Sequence, residues 1–257
     1  MKPLTPKKSL GQHFLNDKDI AAQIVSSLKA EGVDYVIEVG PGMGALTPFL
    51  LQEQRFNMYF VEIDTEVAEY LKALYPTIKD KLIVADFLFY PLDEYFGNIP
   101  LAVIGNFPYN ISSQIFFRIL EYRSQVKEVV GMLQKEVAER IAAPPGSKVY
   151  GITSVLLQAF YDIEYLFTVH EHVFIPPPKV KSGVIRLTRN NVEVLPCNEV
   201  LFFRVVKTAF NQRRKMLSNS LKSMLKDEHK TNPIFSKRPE QLGVKEFIEL
   251  TNIIDKK

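Results

Sequence analysis

The stretch Tyr35-Val36-Ile37-Glu38-Val39-Gly40-Pro41-Gly42-Met43-Gly44 predicts a buried strand that turns directly into a helix. The mostly apolar first half suits a strand, and the glycines allow the backbone to turn and to approach a ligand closely. Gly40 and Gly42 are therefore candidate ligand contacts. Their G-x-G-x-G spacing differs from the G-x-G-x-x-G of dinucleotide sites and from the G-x-x-x-x-G-K-[ST] phosphate loop. A glycine-rich turn alone leaves the ligand open.

On both sides of this turn, short apolar runs alternate with amphipathic segments. The runs predict strands at 35–39, 58–63, 82–85, 101–105 and 128–133. Helical patterns lie near 17–30, 45–54, 65–74, 112–121 and 134–143. Strands that alternate with helices indicate a doubly wound, parallel α/β sheet.

Two further strands complete the predicted sheet. Residues 159–169 and 183–187 read as an antiparallel pair at one edge, joined through a loop that contains Pro176, Pro177 and Pro178. The predicted fold is therefore a mostly parallel, seven-stranded Rossmann-like sheet, which occupies residues 1–190.

The character of the chain changes after about residue 190. Residues 199–225 carry apolar side chains mostly at helical spacing, and a last helix is predicted near 240–254. Residues 201–257 hold thirteen Lys and Arg against six Asp and Glu, whereas residues 1–200 hold nineteen against twenty-three. We predict a small, basic, all-helical domain at 191–257. Its cluster Arg213, Arg214 and Lys215 is either a solvated face or a footprint for a phosphate backbone.

Length and composition set broad limits. The 257 residues, 46% hydrophobic and 24% charged, are typical of a soluble globular protein. No apolar stretch approaches the roughly 18 residues of a membrane span, and the first residues lack the apolar core of a signal peptide. The single cysteine, Cys197, excludes an intramolecular disulfide and a cysteine-rich zinc site. We expect a cytoplasmic protein without membrane association and without a metal site.

Residues Asn106, Phe107, Pro108 and Tyr109 follow the apolar run 101–105. Asn106 can present a carbonyl oxygen, and the bond that precedes Pro108 favours extended backbone that aims a second carbonyl at the same place. Tyr109 offers a face for stacking. Two acceptors and a stacking face are what an exocyclic amine on a nucleobase requires. As an isolated match, the four residues also suit an ordinary turn at the end of a strand.

Gly40, Glu62, Asp86 and Asn106 follow four successive predicted strands. The carboxyl ends of parallel strands form the edge at which open α/β sheets bind ligands. Glu62 is placed to bind the ribose hydroxyls of an adenosine, and Asp86 can accept a hydrogen bond from its adenine. A site of this kind lacks any feature for a pyrophosphate, so the predicted cofactor is S-adenosylmethionine.

The stretch 11–16 is predicted to fold over that cofactor. His13 within it can equally be a helix-entry residue, with Asn16 or Asp17 capping the helix that follows.

Together these motifs resemble the ribosomal RNA adenine N6-dimethyltransferases, and in particular their bacterial small-subunit branch. The resemblance spans nearly the whole chain. The segments that carry it are 11–16, 38–44, 62–64, 85–86, 106–109, 174–181 and 209–215. The central motif of the family often has leucine where this chain has Phe107.

The resemblance implies a role for individual residues. By this resemblance the cofactor contacts are His13, Leu15, Gly40, Glu62, Asp86 and Asn106. Tyr109 would stack on the target adenine, and Phe174 is the candidate for its other face.

The resemblance also implies the substrate, two adjacent adenines in the 3′-terminal hairpin of 16S rRNA within the immature small subunit. We expect a monomeric enzyme that aids maturation of that subunit. Three other interpretations stay open. The first is an N6-adenine methyltransferase of large-subunit rRNA or DNA, and the second is a non-catalytic assembly factor. The third, a nicotinamide oxidoreductase, is disfavoured by the glycine spacing.

Overall fold

The computed structural model describes residue 7 and residues 11–226 and 232–256. The strands are β1 Phe14–Leu15, β2 Tyr35–Val39, β3 Asn57–Glu62, β4 Leu82–Val84, β5 Leu101–Asn106, β6 Val126–Gln134, β7 Tyr161–Val169, β8 Phe174–Ile175 and β9 Ser182–Arg189. The α-helices are α1 Lys18–Ser26, α2 Thr47–Leu50, α3 Thr65–Leu74, α4 Leu92–Phe96, α5 Ser112–Glu121, α6 Lys135–Ala142, α7 Ile152–Gln158, α8 Glu199–Asn211, α9 Leu217–Ser220 and α10 Val244–Asp255.

Seven strands form one sheet in the order β4-β3-β2-β5-β6-β9-β7. The first five of these strands are parallel to their neighbours, and β9 runs antiparallel to β6. The structure therefore confirms the predicted α/β fold with a mostly parallel, seven-stranded sheet. Because β2 lies between β3 and β5, the segments after β3, β2 and β5 meet at one edge of the sheet.

Central strands are buried on both faces. In β5, Leu101, Ala102, Val103 and Ile104 have no exposed surface, as expected for a parallel strand covered by helices on both sides. Continuous apolar runs of this kind are why the strands could be predicted from sequence. None of the described helices has the length and apolar character needed to cross a membrane.

A second, two-stranded sheet pairs β1 with β8. Phe14 lies opposite Ile175, and Leu15 lies opposite Phe174. The Asn16 N–H extends this link by donating to the Val173 carbonyl at 2.8 Å. This pairing was not predicted, because strands of two residues have no recognisable periodicity.

By its contacts the chain divides into two compact units. The first comprises Met1–Ala138 and Ile163–Arg189, and the second comprises Glu139–Asp162 and Asn190–Lys257. The second unit thus extends beyond the predicted segment 191–257, because α7 packs with α8 and α10. Within it, the ring of Phe210 lies 6.2 Å from that of Tyr150 and 5.9 Å from that of Phe247.

Some helices differ from the prediction in extent. α2 is limited to four residues, because the N–H groups of Gln52 and Glu53 donate to carbonyls three residues back and tighten the turn. The helical stretch predicted over 199–225 is divided: α8 ends at Asn211, and Leu217 begins the separate α9. Both Leu217 and Leu221 are buried, so the apolar spacing is satisfied by two elements rather than one.

Candidate active site

A pocket opens at the carboxyl edge of the sheet. Gly40, Glu62, Asp86 and Asn106 all line it, as the succession of strand ends predicted. Residues 11–15 also line this pocket, so the stretch predicted to fold over a ligand is one of its walls.

The glycine turn after β2 gives the pocket its floor. Gly40 and Gly42 have φ angles of +66° and +56°, a left-handed conformation that side chains with a Cβ rarely adopt. A Cβ on Gly42 would also lie 3.3 Å from the Phe14 ring. The backbone conformation thus favours glycine at both positions.

Glu62 is held at the end of β3 by two backbone donors. Its Oε2 accepts from the Gly42 N–H at 3.2 Å, and its Oε1 accepts from the Asp64 N–H at 3.0 Å. Burial raises the pKa of Glu62, while these backbone donors act in the opposite direction. Each oxygen retains a lone pair for a further donor, so the carboxylate can accept from two vicinal hydroxyls.

Asp86 and Ile63 provide complementary surfaces for a planar base. The Asp86 Oδ1 accepts from the Leu88 N–H at 2.9 Å, which orients the carboxylate at the pocket. The Ile63 side chain lines the pocket and is 48% exposed, although it follows a buried strand. An exposed apolar residue beside an acid is typical of a surface covered by a ligand. Ile63 was not predicted as a site residue.

Asn106 is oriented by the N-terminal wall. Its Nδ2 donates to the His13 carbonyl at 3.0 Å. Only the amide nitrogen can donate to a carbonyl, so this bond determines which way the amide faces and leaves Oδ1 without a donor among the described residues. The second predicted acceptor, the Pro108 carbonyl, accepts from the Ile111 N–H at 3.2 Å and keeps one lone pair.

Tyr109 is fixed from two sides. Its hydroxyl lies 2.6 Å from the hydroxyl of Ser182, which is fully buried at the start of β9. Its ring centroid lies 5.4 Å from that of His13. Burial raises the pKa of Tyr109, so the phenol is protonated at neutral pH. Ser182 was missed from sequence, because it lies 73 residues from Tyr109.

The packing around Phe107 accounts for an aromatic ring at a position where the family often has leucine. The ring is buried against Gly131 and Gly105, and a Cβ on either glycine would overlap it. Its other neighbour is the Phe116 ring, at 5.8 Å between centroids. The two glycines leave the volume that an aromatic ring fills in place of leucine.

The structure brings most of the predicted residues to the pocket. Leu15 and His13 line it, and the His13 Nδ1 lies 2.9 Å from the Pro176 carbonyl. The helix-entry interpretation is also correct for Asp17, whose side chain caps α1. Phe174 differs: it is 1% exposed, packs in the hydrophobic core and does not line the pocket. In this structure Phe174 is a packing residue rather than a wall of the pocket.

The predicted basic cluster belongs to the second unit. Arg213, Arg214 and Lys215 lie in the turn that follows α8 rather than on a continuing helix. The Arg213 guanidinium donates to the Ser147 carbonyl at 3.1 Å, and Arg214 and Lys215 are exposed.

Lys7 makes a further contact, with the start of α3, that the sequence did not predict. Its Nζ lies 2.8 Å from Asp64 Oδ1 and 2.7 Å from Glu66 Oε2, at the first turn of α3. The Gln12 amide donates to Asp64 Oδ2 at 3.4 Å. The N-terminal wall is therefore tied to the segment that carries Glu62.

A family model described as ribosomal RNA adenine dimethylase matches residues 4–256. The chain belongs to the ribosomal RNA adenine dimethylase family. This membership confirms the resemblance that the motifs predicted.

Individual relatives are similar over their full length. The chain is 59% identical to the ribosomal RNA small subunit methyltransferase A of Flavobacterium johnsoniae, over 99% of this chain and 98% of that protein. The protein of the same name from Cytophaga hutchinsonii is 58% identical, with 100% of both chains covered.

Solved structures show the same architecture. A dimethyladenosine transferase from Plasmodium falciparum superposes with a TM-score of 0.76 at 25% identity, over 93% of this chain and 96% of that one. The 23S rRNA methyltransferase ErmE superposes with a TM-score of 0.65 at 25% identity, over 95% and 100%.

The pocket fits the cofactor predicted from sequence. Glu62 offers acceptors for two hydroxyls, Asp86 offers one for an adenine amine, and Ile63 offers an apolar face for the ring. Gly40 and Gly42 have no side chains, so the backbone at this part of the pocket is open to a ligand. Within the described part of the chain, no group of three or more His, Cys, Asp or Glu could hold a metal ion.

Glu38 is a buried acid of the pocket wall that was not predicted as a site residue. Burial raises the pKa of Glu38 to about 8, and the nearby Glu62 acts in the same direction. The Thr47 hydroxyl donates to its Oε2 at 2.8 Å and opposes the shift. At neutral pH the folded protein therefore carries a neutral Glu38, whereas the unfolded chain carries a carboxylate.

A pH-dependent stability follows. Between pH 4.5 and about 8 Glu38 holds a proton in the folded state that it has lost in the unfolded state, so its contribution to the free energy of unfolding falls as pH rises and levels off above that range. Glu38→Gln retains a neutral group and should remove this contribution, which makes the variant more stable than wild type at pH 8.5 by up to about 5 kcal/mol. Urea titrations at pH 5 and 8.5 measure it, with the exposed Glu31→Gln as control. Parallel pH profiles for wild type and Glu38→Gln would contradict the assignment.

Proposed function

We propose that this protein transfers methyl groups from S-adenosylmethionine to the N6 amines of two adjacent adenines. We place those adenines in the 3′-terminal hairpin of 16S rRNA, within the immature small subunit. The observation that carries the proposal is that Asn106, Pro108 and Tyr109 line one pocket, which gives it two carbonyl acceptors and an aromatic ring. Membership of the ribosomal RNA adenine dimethylase family, and the name small subunit methyltransferase A of its relatives, support it.

The cofactor side of the pocket is proposed to hold the adenosine of S-adenosylmethionine. Glu62 binds the ribose hydroxyls, and Asp86 binds the adenine amine. Gly40 and Gly42 allow the backbone to approach the ligand, and His13 and Leu15 close the pocket from the N-terminal wall. When bound, the cofactor supplies an electrophilic methyl group on a sulfonium.

The acceptor side prepares the amine of the substrate. The lone pair of an adenine amine is delocalised into the ring, so the free amine is a weak nucleophile. Hydrogen bonds from its two N–H groups to the Asn106 Oδ1 and the Pro108 carbonyl favour a more tetrahedral nitrogen, which localises the lone pair. Positioning of the reactants and exclusion of water then supply most of the rate acceleration. No dedicated general base is required, because the nitrogen becomes cationic when the methyl group is transferred and its proton is then acidic enough to leave. After the first methylation only one N–H remains, so the pocket must tolerate one unpaired acceptor.

The target base must leave its stack to enter the pocket. We assign Tyr109 to stack on the extruded adenine, with Ser182 fixing the orientation of its ring. Loss of an aromatic stack costs about 1–3 kcal/mol, so Tyr109→Ala should lower kcat/KM for RNA by roughly ten- to a hundredfold. Tyr109→Phe keeps the ring and loses only the bond to Ser182, so it should retain most of the activity. Steady-state methylation assays compare the two variants. A Phe variant as inactive as the Ala variant would contradict stacking as the role of Tyr109.

The basic cluster of the second unit is proposed to bind the phosphate backbone of the substrate. Arg213, Arg214 and Lys215 would contact rRNA phosphates of the immature subunit. A substrate of this kind implies a cytoplasmic site of action. We further propose that the enzyme acts as a monomer.

Substrate choice separates this function from its rivals. Purified protein is incubated with methyl-labelled S-adenosylmethionine and one substrate at a time. The substrates are small subunits that lack the modification, large subunits and DNA. The proposal predicts incorporation into the small subunit alone. Incorporation into large subunits or DNA would indicate another N6-adenine methyltransferase, and binding to small subunits without incorporation would indicate a non-catalytic assembly factor.

A further inference from the structure

The proline-rich loop between β8 and β9, residues 176–181, forms a rim beside the proposed acceptor site. At its start the Pro176 carbonyl lies 2.9 Å from the His13 Nδ1. At its end Ser182, the first residue of β9, contacts the Tyr109 hydroxyl. The His13 and Tyr109 rings are themselves neighbours, so both ends of the loop are attached to the same wall of the pocket.

The loop is also restrained between its two ends. Three successive prolines fix their φ angles, and Pro178 is buried. The Lys181 carbonyl accepts from the Lys135 N–H at 2.9 Å, which ties the end of the loop to the start of α6. A loop that is ordered before a ligand arrives loses little conformational freedom on binding.

The charge of this rim has one sign. Residues 176–181 contain Lys179 and Lys181 and no carboxylate, although residues 1–200 as a whole have an excess of acids. Both lysines are exposed, and neither forms an ion pair within the described residues. Two free cations on an ordered rim beside the base pocket are suited to a polyanion.

We infer that Lys179 and Lys181 bind the phosphodiester backbone that flanks the extruded adenine. The inference rests on the proposed function, since it assumes that a base stacks on Tyr109. A base that enters beside Tyr109 carries its own sugar and phosphates to the mouth of the pocket, where the loop lies. The catalytic unit thus has an RNA-binding site of its own, in addition to the cations proposed in the second unit. Its role is to hold the strand after the base has left the stack.

The test uses charge-neutralising and charge-retaining pairs in the full-length protein. The pair Lys179→Gln/Lys181→Gln removes both charges, and Lys179→Arg/Lys181→Arg retains them. A matched control, Lys29→Gln/Lys79→Gln, removes two exposed lysines near the amino ends of β2 and β4, at the opposite edge of the sheet. For each protein, kcat, KM and the salt dependence of binding are measured with small subunits that lack the modification, and cofactor affinity is measured by calorimetry.

The inference predicts a selective loss of RNA affinity. The Gln pair should raise KM for the subunit by about three- to tenfold at low salt, with kcat changed less than about twofold. The slope of log K against log salt should become shallower by about 1–2, one unit for each lost phosphate contact. The Arg pair should behave like wild type, and cofactor affinity should be unchanged in every protein.

Three results would overturn the inference while leaving the proposed function intact. They are a Gln pair that matches the control pair in KM and salt slope, a defect that appears equally in the Arg pair, or a fall in kcat at unchanged KM. In each case wild-type protein still methylates the subunit. Failure of the proposed function is a different observation, because wild-type protein would then transfer no methyl group to any adenine.

Discussion

Asn106→Ala should lower kcat for methyl transfer by about a hundredfold or more, while the fold and RNA binding are retained. The side chain supplies one of the two acceptors that localise the amine lone pair, and losing one such preorganised group at a reacting centre typically costs a factor of about 10² to 10³. It also loses the bond from Nδ2 to the His13 carbonyl, which orients the N-terminal wall. Single-turnover assays with saturating cofactor isolate the methyl-transfer step.

The control for this variant lies at the other end of the same strand. Asn98 is exposed just before β5, so Asn98→Ala makes the same chemical change away from the pocket. It should methylate at the wild-type rate. Wild-type kcat in Asn106→Ala would remove Asn106 from the acceptor site, whatever the family membership implies.

Glu62→Gln should weaken cofactor binding by roughly ten- to a hundredfold. Both carboxylate oxygens accept backbone N–H groups, from Gly42 and Asp64. An amide offers only one acceptor oxygen, so its NH₂ group must face one of these donors. Hydrogen bonds to charged groups are worth about 1.5–3 kcal/mol each, and a buried donor left unpaired adds to the loss. Isothermal titration calorimetry with S-adenosylmethionine measures the change directly.

Two comparisons make this prediction specific. Glu94→Gln, at an exposed position of α4, should bind cofactor as wild type does. Because burial raises the pKa of Glu62, wild-type affinity should also fall as pH is lowered toward that pKa, whereas the affinity of Glu62→Gln should not. Equal affinity in wild type and Glu62→Gln would place the adenosine elsewhere.

The sequence predicts well those site residues that lie directly at the end of a strand. Glu62 and Asn106 end the buried runs β3 and β5, and Asp86 follows β4. Once the strands are recognised as parallel, their carboxyl ends must meet, so adjacency in the chain becomes adjacency in space. The glycine turn adds a backbone requirement that is visible in the residue types themselves.

The remaining contacts join residues that are distant in the chain and carry no local pattern. Ser182 meets Tyr109 across 73 residues, and Lys7 meets Asp64 across 57. The same limit applies to Phe174, since its burial depends on packing that its own segment does not reveal.

If Asn106 and its neighbours dimethylate adenine in small-subunit rRNA, the modified nucleoside must depend on this protein in cells. The most direct measurement is nucleoside mass spectrometry of 16S rRNA from cells that lack this protein, complemented with either wild type or Asn106→Ala. We expect N6,N6-dimethyladenosine to be absent without the protein, restored by wild type and not restored by Asn106→Ala expressed at the same level. Dimethyladenosine at normal levels in the cells that lack the protein, or full restoration by Asn106→Ala, would contradict it.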